Sequence, residues 1–162
     1  MKNSSSYRIL NNIIILGIVL TLLSLCALPL VITAYLKSGY NIVDSNLPLI
    51  MSIGIFICAV PYIVALFLLK KLCKQIVLKH PFSREIPKYL KQISICAFSE
   101  ILIFNVTQLV LYYFFDIYLY GLTIVSAIIV SFISLAIGFL SMVLGKLFEM
   151  AIEIKEENDK TI

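Results

Sequence analysis

Four long apolar runs dominate the chain, and the connections between them alternate between strongly basic and nearly uncharged. Ile13–Leu36, Leu47–Leu69, Ile93–Phe115 and Leu122–Gly145 contain 24, 23, 23 and 24 residues. A helix needs about 20 apolar residues to cross the hydrocarbon core of a bilayer. Each run is therefore read as a transmembrane helix, and the chain as an all-α polytopic membrane protein, four transmembrane helices in a bundle. The 162 residues are 61% hydrophobic, which in water would expose large apolar patches. Outside the runs the longest stretch is Lys70–Gln92, 23 residues, too short to bury a core of its own. A folded enzyme domain outside the membrane is thereby excluded. One membrane domain, 1–162, is expected, with helices at about 9–36, 47–72, 87–115 and 121–157 and a basic loop at about 73–86.

Lys2 and Arg8 before the first run resemble the start of a secretory signal. A cleaved signal has an apolar core of about 7–15 residues, and this run is much longer, so it is expected to remain as an anchor. Twelve of the thirteen basic residues fall at one side of the predicted membrane: Lys2 and Arg8, seven from Lys70 to Lys91, and Lys146, Lys155 and Lys160. Lys37 alone lies on the other side. Lys and Arg near span ends collect in the cytoplasm. The expected localisation is the plasma membrane, multi-pass, with both termini and the basic loop cytoplasmic. Tyr112, Tyr113, Tyr118 and Tyr120 then form an aromatic belt at the outer boundary.

Two patterns stand out inside the runs. In the fourth, Ala127, Ser131, Ser134, Gly138, Ser141 and Gly145 recur at alternating steps of four and three, on one helix face. Small residues let helix backbones approach closely in lipid. The stripe serves either packing within the chain, the plainer reading, or a homodimer. In the third run stands Glu100, the one charge inside a span. Thr107 lies about 20° from it around the helix and Gln108 about 80°, and Asn105 and Ser94 extend the polar arc. Ionisable groups at this depth are costly and are functional candidates by default. Glu100 is either a cation, proton or ligand contact, or a carboxyl kept neutral or bonded to a neighbouring helix. Pro29 and Pro61 each remove one backbone donor and kink their helices.

Between the second and third runs stands Lys79-His80-Pro81-Phe82-Ser83-Arg84-Glu85-Ile86-Pro87-Lys88-Tyr89-Leu90-Lys91-Gln92-Ile93. Pro81 ends the preceding helix. Ser83 is a good helix cap, and Glu85 suits the positive end of the new helix. Pro87 is tolerable only in its first turn. From Lys70 to Lys91 seven basic residues face one acid, a charge of +6. This surface attracts anionic lipid headgroups, serves an acidic protein partner, or acts only as a topology determinant. The tail from Glu149 to Lys160 carries −3. The last helix is expected to run past the membrane and lie near the basic loop.

The loop resembles the marker of the YoaS-like family of small bacterial membrane proteins (domain of unknown function 2975), four helices with a central cytoplasmic loop reading roughly Pro-Phe-Ser-x-Glu-Asn and then Leu-Lys-x-Ile. Pro81, Phe82, Ser83, Glu85, Leu90, Lys91 and Ile93 match; Ile86 stands where the family prefers Asn, with Pro87 unusual beside it. The resemblance implies no established activity. It implies a neighbouring Cro/CI-like helix-turn-helix protein, and hence the membrane arm of a regulatory pair.

Catalytic signatures are missing from the sequence. His80, Ser83 and Glu85 crowd one short loop, whereas triads converge from separate elements. There is no zinc spacing and no phosphate-binding glycine loop. Cys26, Cys58, Cys73 and Cys96 lack Cys-x-x-Cys spacing and are expected to be small apolar filler. The expected function is a non-enzymatic regulatory or sensory membrane protein with no cofactor and no metal. Its contact surface is Lys79, His80, Pro81, Phe82, Ser83, Arg84, Glu85, Lys88 and Lys91. Its partners are anionic lipid and a cytoplasmic regulator, with no direct nucleic-acid contact. The alternative is a self-immunity or small-molecule efflux component using Glu100, with Asn105, Thr107 and Gln108.

Overall fold

A backbone in hydrocarbon has no water to satisfy its N–H and C=O groups, so a continuous apolar run is driven into a helix that satisfies them internally. The computed structural model describes residues 3–40, 46–77, 83–115 and 120–160, all but the short connections and the chain ends. They form α1 (Asn3–Tyr40), α2 (Leu47–Val77), α3 (Glu85–Phe115) and α4 (Tyr120–Lys160). No strand occurs among the described residues. All four helices are long and apolar enough to cross a membrane, which marks the chain as a multi-pass membrane protein.

The helices run longer than the apolar runs that announce them. α2 continues to Val77 rather than ending near Leu72. Lys74 and Gln75 are good helix formers, and no breaker follows until Pro81. α3 begins at Glu85, with Pro87 inside its first turn. The Ser83 carbonyl, which Pro87 cannot serve, accepts instead from the Ile86 N–H at 3.1 Å. The Ser83 hydroxyl accepts from the Glu85 N–H at 3.3 Å and so caps the helix. α4 has 41 residues, about 61 Å at 1.5 Å per residue, roughly twice the hydrocarbon thickness. Its last turns therefore project beyond the bilayer.

Consecutive helices pack: α1 on α2, α2 on α3, and α3 on α4, the last pair most extensively. Among the described residues α1 and α4 do not touch, so the bundle is open along that side. Gly138 meets Phe98 and Gly145 meets Leu90, and Gly54 meets Thr107 while Gln75 meets Glu85, so α2 and α4 each run antiparallel to α3.

Polarity is arranged as lipid demands. Ser52, Ser94, Ser134 and Ser141 are buried, while Leu30 is 76% and Phe114 79% exposed. Such side chains outside carry no penalty in lipid tails, and close contact between small residues holds the helices together. Hydroxyls are satisfied inside their own helices: Thr21 donates to the Gly17 carbonyl at 2.8 Å, Thr33 to Pro29 at 2.7 Å and Ser52 to Pro48 at 2.6 Å.

Candidate functional site

At the basic end of the bundle the tail of α2, the start of α3 and the extension of α4 converge. Gln75 of α2 donates to Glu85 of α3. The Tyr89 hydroxyl approaches the same carboxylate at 3.5 Å. Arg84, one residue before α3, grips Glu156 of α4 with both arms. Its Nε donates to Oε1 at 2.9 Å and its Nη2 to Oε2 at 2.5 Å. Such a two-point fork fixes orientation as well as distance. The hydrogen bond pushes Arg84 up and holds the Glu156 carboxyl below the usual carboxylate range. Both groups are exposed, so the fork sets geometry more than it adds stability. At the same end Ile86 of α3 and Ile152 of α4 are buried, and Ile152 lines the seam beside Arg84 and Pro87. Lys88 and Lys91 are exposed on α3. Neither has an ion-pair partner among the described residues. Lys79, His80, Pro81 and Phe82 lie outside the described residues.

The polar residues of α3 do not form one site. Asn105 turns to α4, where its Nδ2 donates to the Ser131 hydroxyl at 3.1 Å and to the Ile101 carbonyl at 2.7 Å. Thr107 turns to α2, packing its methyl on Gly54 and interacting with the Cys58 thiol. Glu100 lies within electrostatic reach of the same thiol, and its buried Oε2 has no hydrogen-bond partner among the described residues. Gln108 is half-buried. The structure thus turns Thr107 toward Cys58 of α2, with Glu100 within electrostatic reach of that thiol, and sends Asn105 to the opposite neighbour. Further along the α2–α3 seam an apolar cavity of about 550 Å³ opens, lined by Gly54, Ile57, Leu102 and Val106 with Thr107 as a polar group.

The small-residue stripe of α4 lies against α3. Ser134, Gly138, Ser141 and Gly145 are buried, and Ala127 and Ser131 half-buried. A Cβ on Gly138 would meet the Phe98 ring at 2.8 Å, and one on Gly145 would meet Leu90 Cβ at 3.5 Å. Phe98 in turn stands edge-on to Phe139, ring centroids 5.5 Å apart and planes at 84°. The stripe is taken up by α3, so a dimer through it would have to displace that helix.

A family profile described as protein of unknown function (DUF2975) matches residues 32–162. The chain belongs to the DUF2975 family. The matched DUF2975 region begins in the last turns of α1 and contains α2, α3 and α4 whole. It therefore includes the Arg84–Glu156 fork, Glu100 and the stripe. Neither a curated protein nor a solved structure matches the chain.

Three features of the site were beyond the reach of sequence reasoning: Gln75, Glu156 as the specific partner of Arg84, and Cys58 beside Thr107. The opposite charges of the basic stretch and the tail are a signal for the second. Nothing in the spacing of the chain signals the first or the third.

Proposed function

We propose that this member of the DUF2975 family is a non-enzymatic regulatory or sensory protein of the plasma membrane. Both termini and the basic end lie in the cytoplasm, a reading supported by the twelve basic residues gathered there. One observation carries the functional reading. The Arg84–Glu156 fork ties the start of α3 to the overhang of α4, so Lys88, Lys91 and the acidic α4 extension share one preformed surface beyond the apolar spans. A rigid surface of mixed charge favours selective recognition of a soluble protein over general adhesion. The partner is a small helix-turn-helix regulator, the neighbour implied by the family resemblance, held at or released from the membrane. Anionic headgroups are the other contact of this surface. Co-purification of that regulator with the membrane-embedded chain tests the reading. Wild type retains the regulator, and Lys88→Ala with Lys91→Ala retains less. No association with wild type refutes it.

A second reading draws on Glu100. A buried carboxylate oxygen without a partner among the described residues, two turns from Thr107, the polar residue lining an apolar cavity, supports a self-immunity or efflux component. Glu100→Gln removes the ionisable group with little change of shape. Unchanged protection or transport in that variant ends this reading.

A further inference from the structure

At the basic end the α3–α4 seam opens into two adjoining clefts of about 370 and 360 Å³, which share Pro87, Lys91 and Glu149. Their construction follows one rule on both helices. On α3, Lys91 stands at the rim, with Ile95 and Phe98 below it at four and seven residues deeper. On α4, Lys146 stands at the rim, with Met142 four residues deeper. Four residues of helix are about 6 Å, so each helix places a cation about one turn above an apolar floor. The rim also carries Arg84 and Lys88, against the carboxylates of Glu149 and Glu153. Two of these cations are already paired, Arg84 with Glu156 and Lys146 with Glu149 at 3.2 Å. Lys88 and Lys91 have no such partner among the described residues.

An apolar floor under two uncommitted ammonium groups is complementary to an amphiphile with an anionic head and a hydrocarbon tail. A soluble anion would leave the floor unfilled, and a neutral lipid would leave a cationic excess at the rim, where Arg84, Lys88, Lys91 and Lys146 outnumber Glu149, Glu153 and the Glu156 that Arg84 holds. The seam opens at Lys91, where the basic stretch meets the apolar run that begins at Ile93, and basic residues at a span end lie near the headgroup layer. We infer that this seam is a binding site for one anionic glycerophospholipid, its phosphate on Lys91 and Lys88 and an acyl chain along Ile95, Phe98 and Met142. The site rests on the headgroup contact proposed above and shares Lys88 and Lys91 with the regulator surface; lipid retention by the isolated chain needs no regulator, so failure of the co-purification leaves it standing.

Native mass spectrometry of the full chain, released from detergent with defined lipids, tests it. The probes are phosphatidylglycerol, phosphatidylethanolamine and phosphatidylcholine, with inorganic phosphate as competitor. Wild type retains one phosphatidylglycerol in preference to the two zwitterionic lipids, and millimolar phosphate does not displace it. Lys91→Ala weakens retention about fivefold, the equivalent of about 1 kcal/mol per basic residue at a lipid surface. Lys70→Ala and Lys71→Ala, equal losses of charge at the same end but away from the seam, leave it unchanged. Ile95→Ser weakens retention with every cation in place. Helical content by circular dichroism confirms that each variant is folded. Equal losses in Lys70→Ala and Lys91→Ala would reduce the effect to diffuse surface charge and overturn the site. Equal retention of the zwitterionic lipids, displacement by phosphate, or no retention at all would overturn it as well.

Discussion

Replacing Gly138 by alanine is the sharpest probe of the α3–α4 seam. The added methyl carbon would lie 2.8 Å from Phe98 Cε1 and 2.9 Å from Cζ, whereas carbon atoms pack at about 3.5–4.0 Å. The ring must therefore move by roughly 0.7 Å or more, and its edge contact with Phe139 resists the shift. Overpacking of this kind costs about 1–3 kcal/mol. The better helix propensity of alanine offsets up to about 1 kcal/mol of that, so a net loss of about 1 kcal/mol is expected. Gly145→Ala, two turns along the same stripe, is the internal control. Its new Cβ would meet Leu90 Cβ at 3.5 Å, an ordinary contact, and the variant should be neutral or slightly stabilised. Unfolding in mixed micelles by titration with SDS, followed by circular dichroism, measures both. Adding Phe98→Leu to Gly138→Ala should recover part of the loss. Indistinguishable midpoints for Gly138→Ala and Gly145→Ala would refute the packing argument.

Asn105→Ala should destabilise the chain by about 0.6 kcal/mol, the average for interhelical hydrogen bonds in membranes. A double-mutant cycle with Ser131→Ala in the same titration should show the coupling. Ser83→Ala removes the cap of α3 and should cost about 1 kcal/mol locally, read as faster amide exchange over residues 84–88 with distant helices unaffected. Arg84→Ala should broaden the distance distribution between spin labels at residues 88 and 160 while leaving the SDS midpoint in place. Glu156 has its folded value depressed, so its linkage contribution is fully present above the ordinary 4.5 and is lost as pH falls through the depressed value. Wild type should therefore show the same broadening only as pH falls below the usual carboxylate range, and Glu156→Gln should show it at neutral pH.

The spans were legible because each run exceeds what a bilayer requires, and lipid allows a single backbone solution for such a run. The start of α3 was legible too, since Ser83, Glu85 and Pro87 each act within one turn of their own position. Helix ends were less so. α2 carries on through Cys73, Lys74 and Gln75 because hydropathy falls there while helix propensity does not. The stripe announced a contact without naming its partner, because a small residue accepts any neighbour that can come close. The polar arc of α3 shows a harder limit. A helical wheel places Glu100, Asn105 and Thr107 in angle, but which neighbour flanks each side is a tertiary fact. With α2 on one side and α4 on the other, the arc divides. Cys58 meets Thr107 by the register between α2 and α3, which no local pattern records. Arg84 and Glu156 are 72 residues apart, and many acids in the tail would have matched the loop equally well by charge.

The claim that the basic end recognises a soluble regulator is tested most directly by site-specific photo-crosslinking in native membranes. A photoreactive residue is placed at position 88 in one variant and at position 113, near the opposite end of α3, in another. The account predicts an adduct with the helix-turn-helix regulator from position 88, absent from position 113 and weakened when Arg84→Ala frees the α4 extension. No adduct at position 88, or equal adducts at both positions, would contradict it.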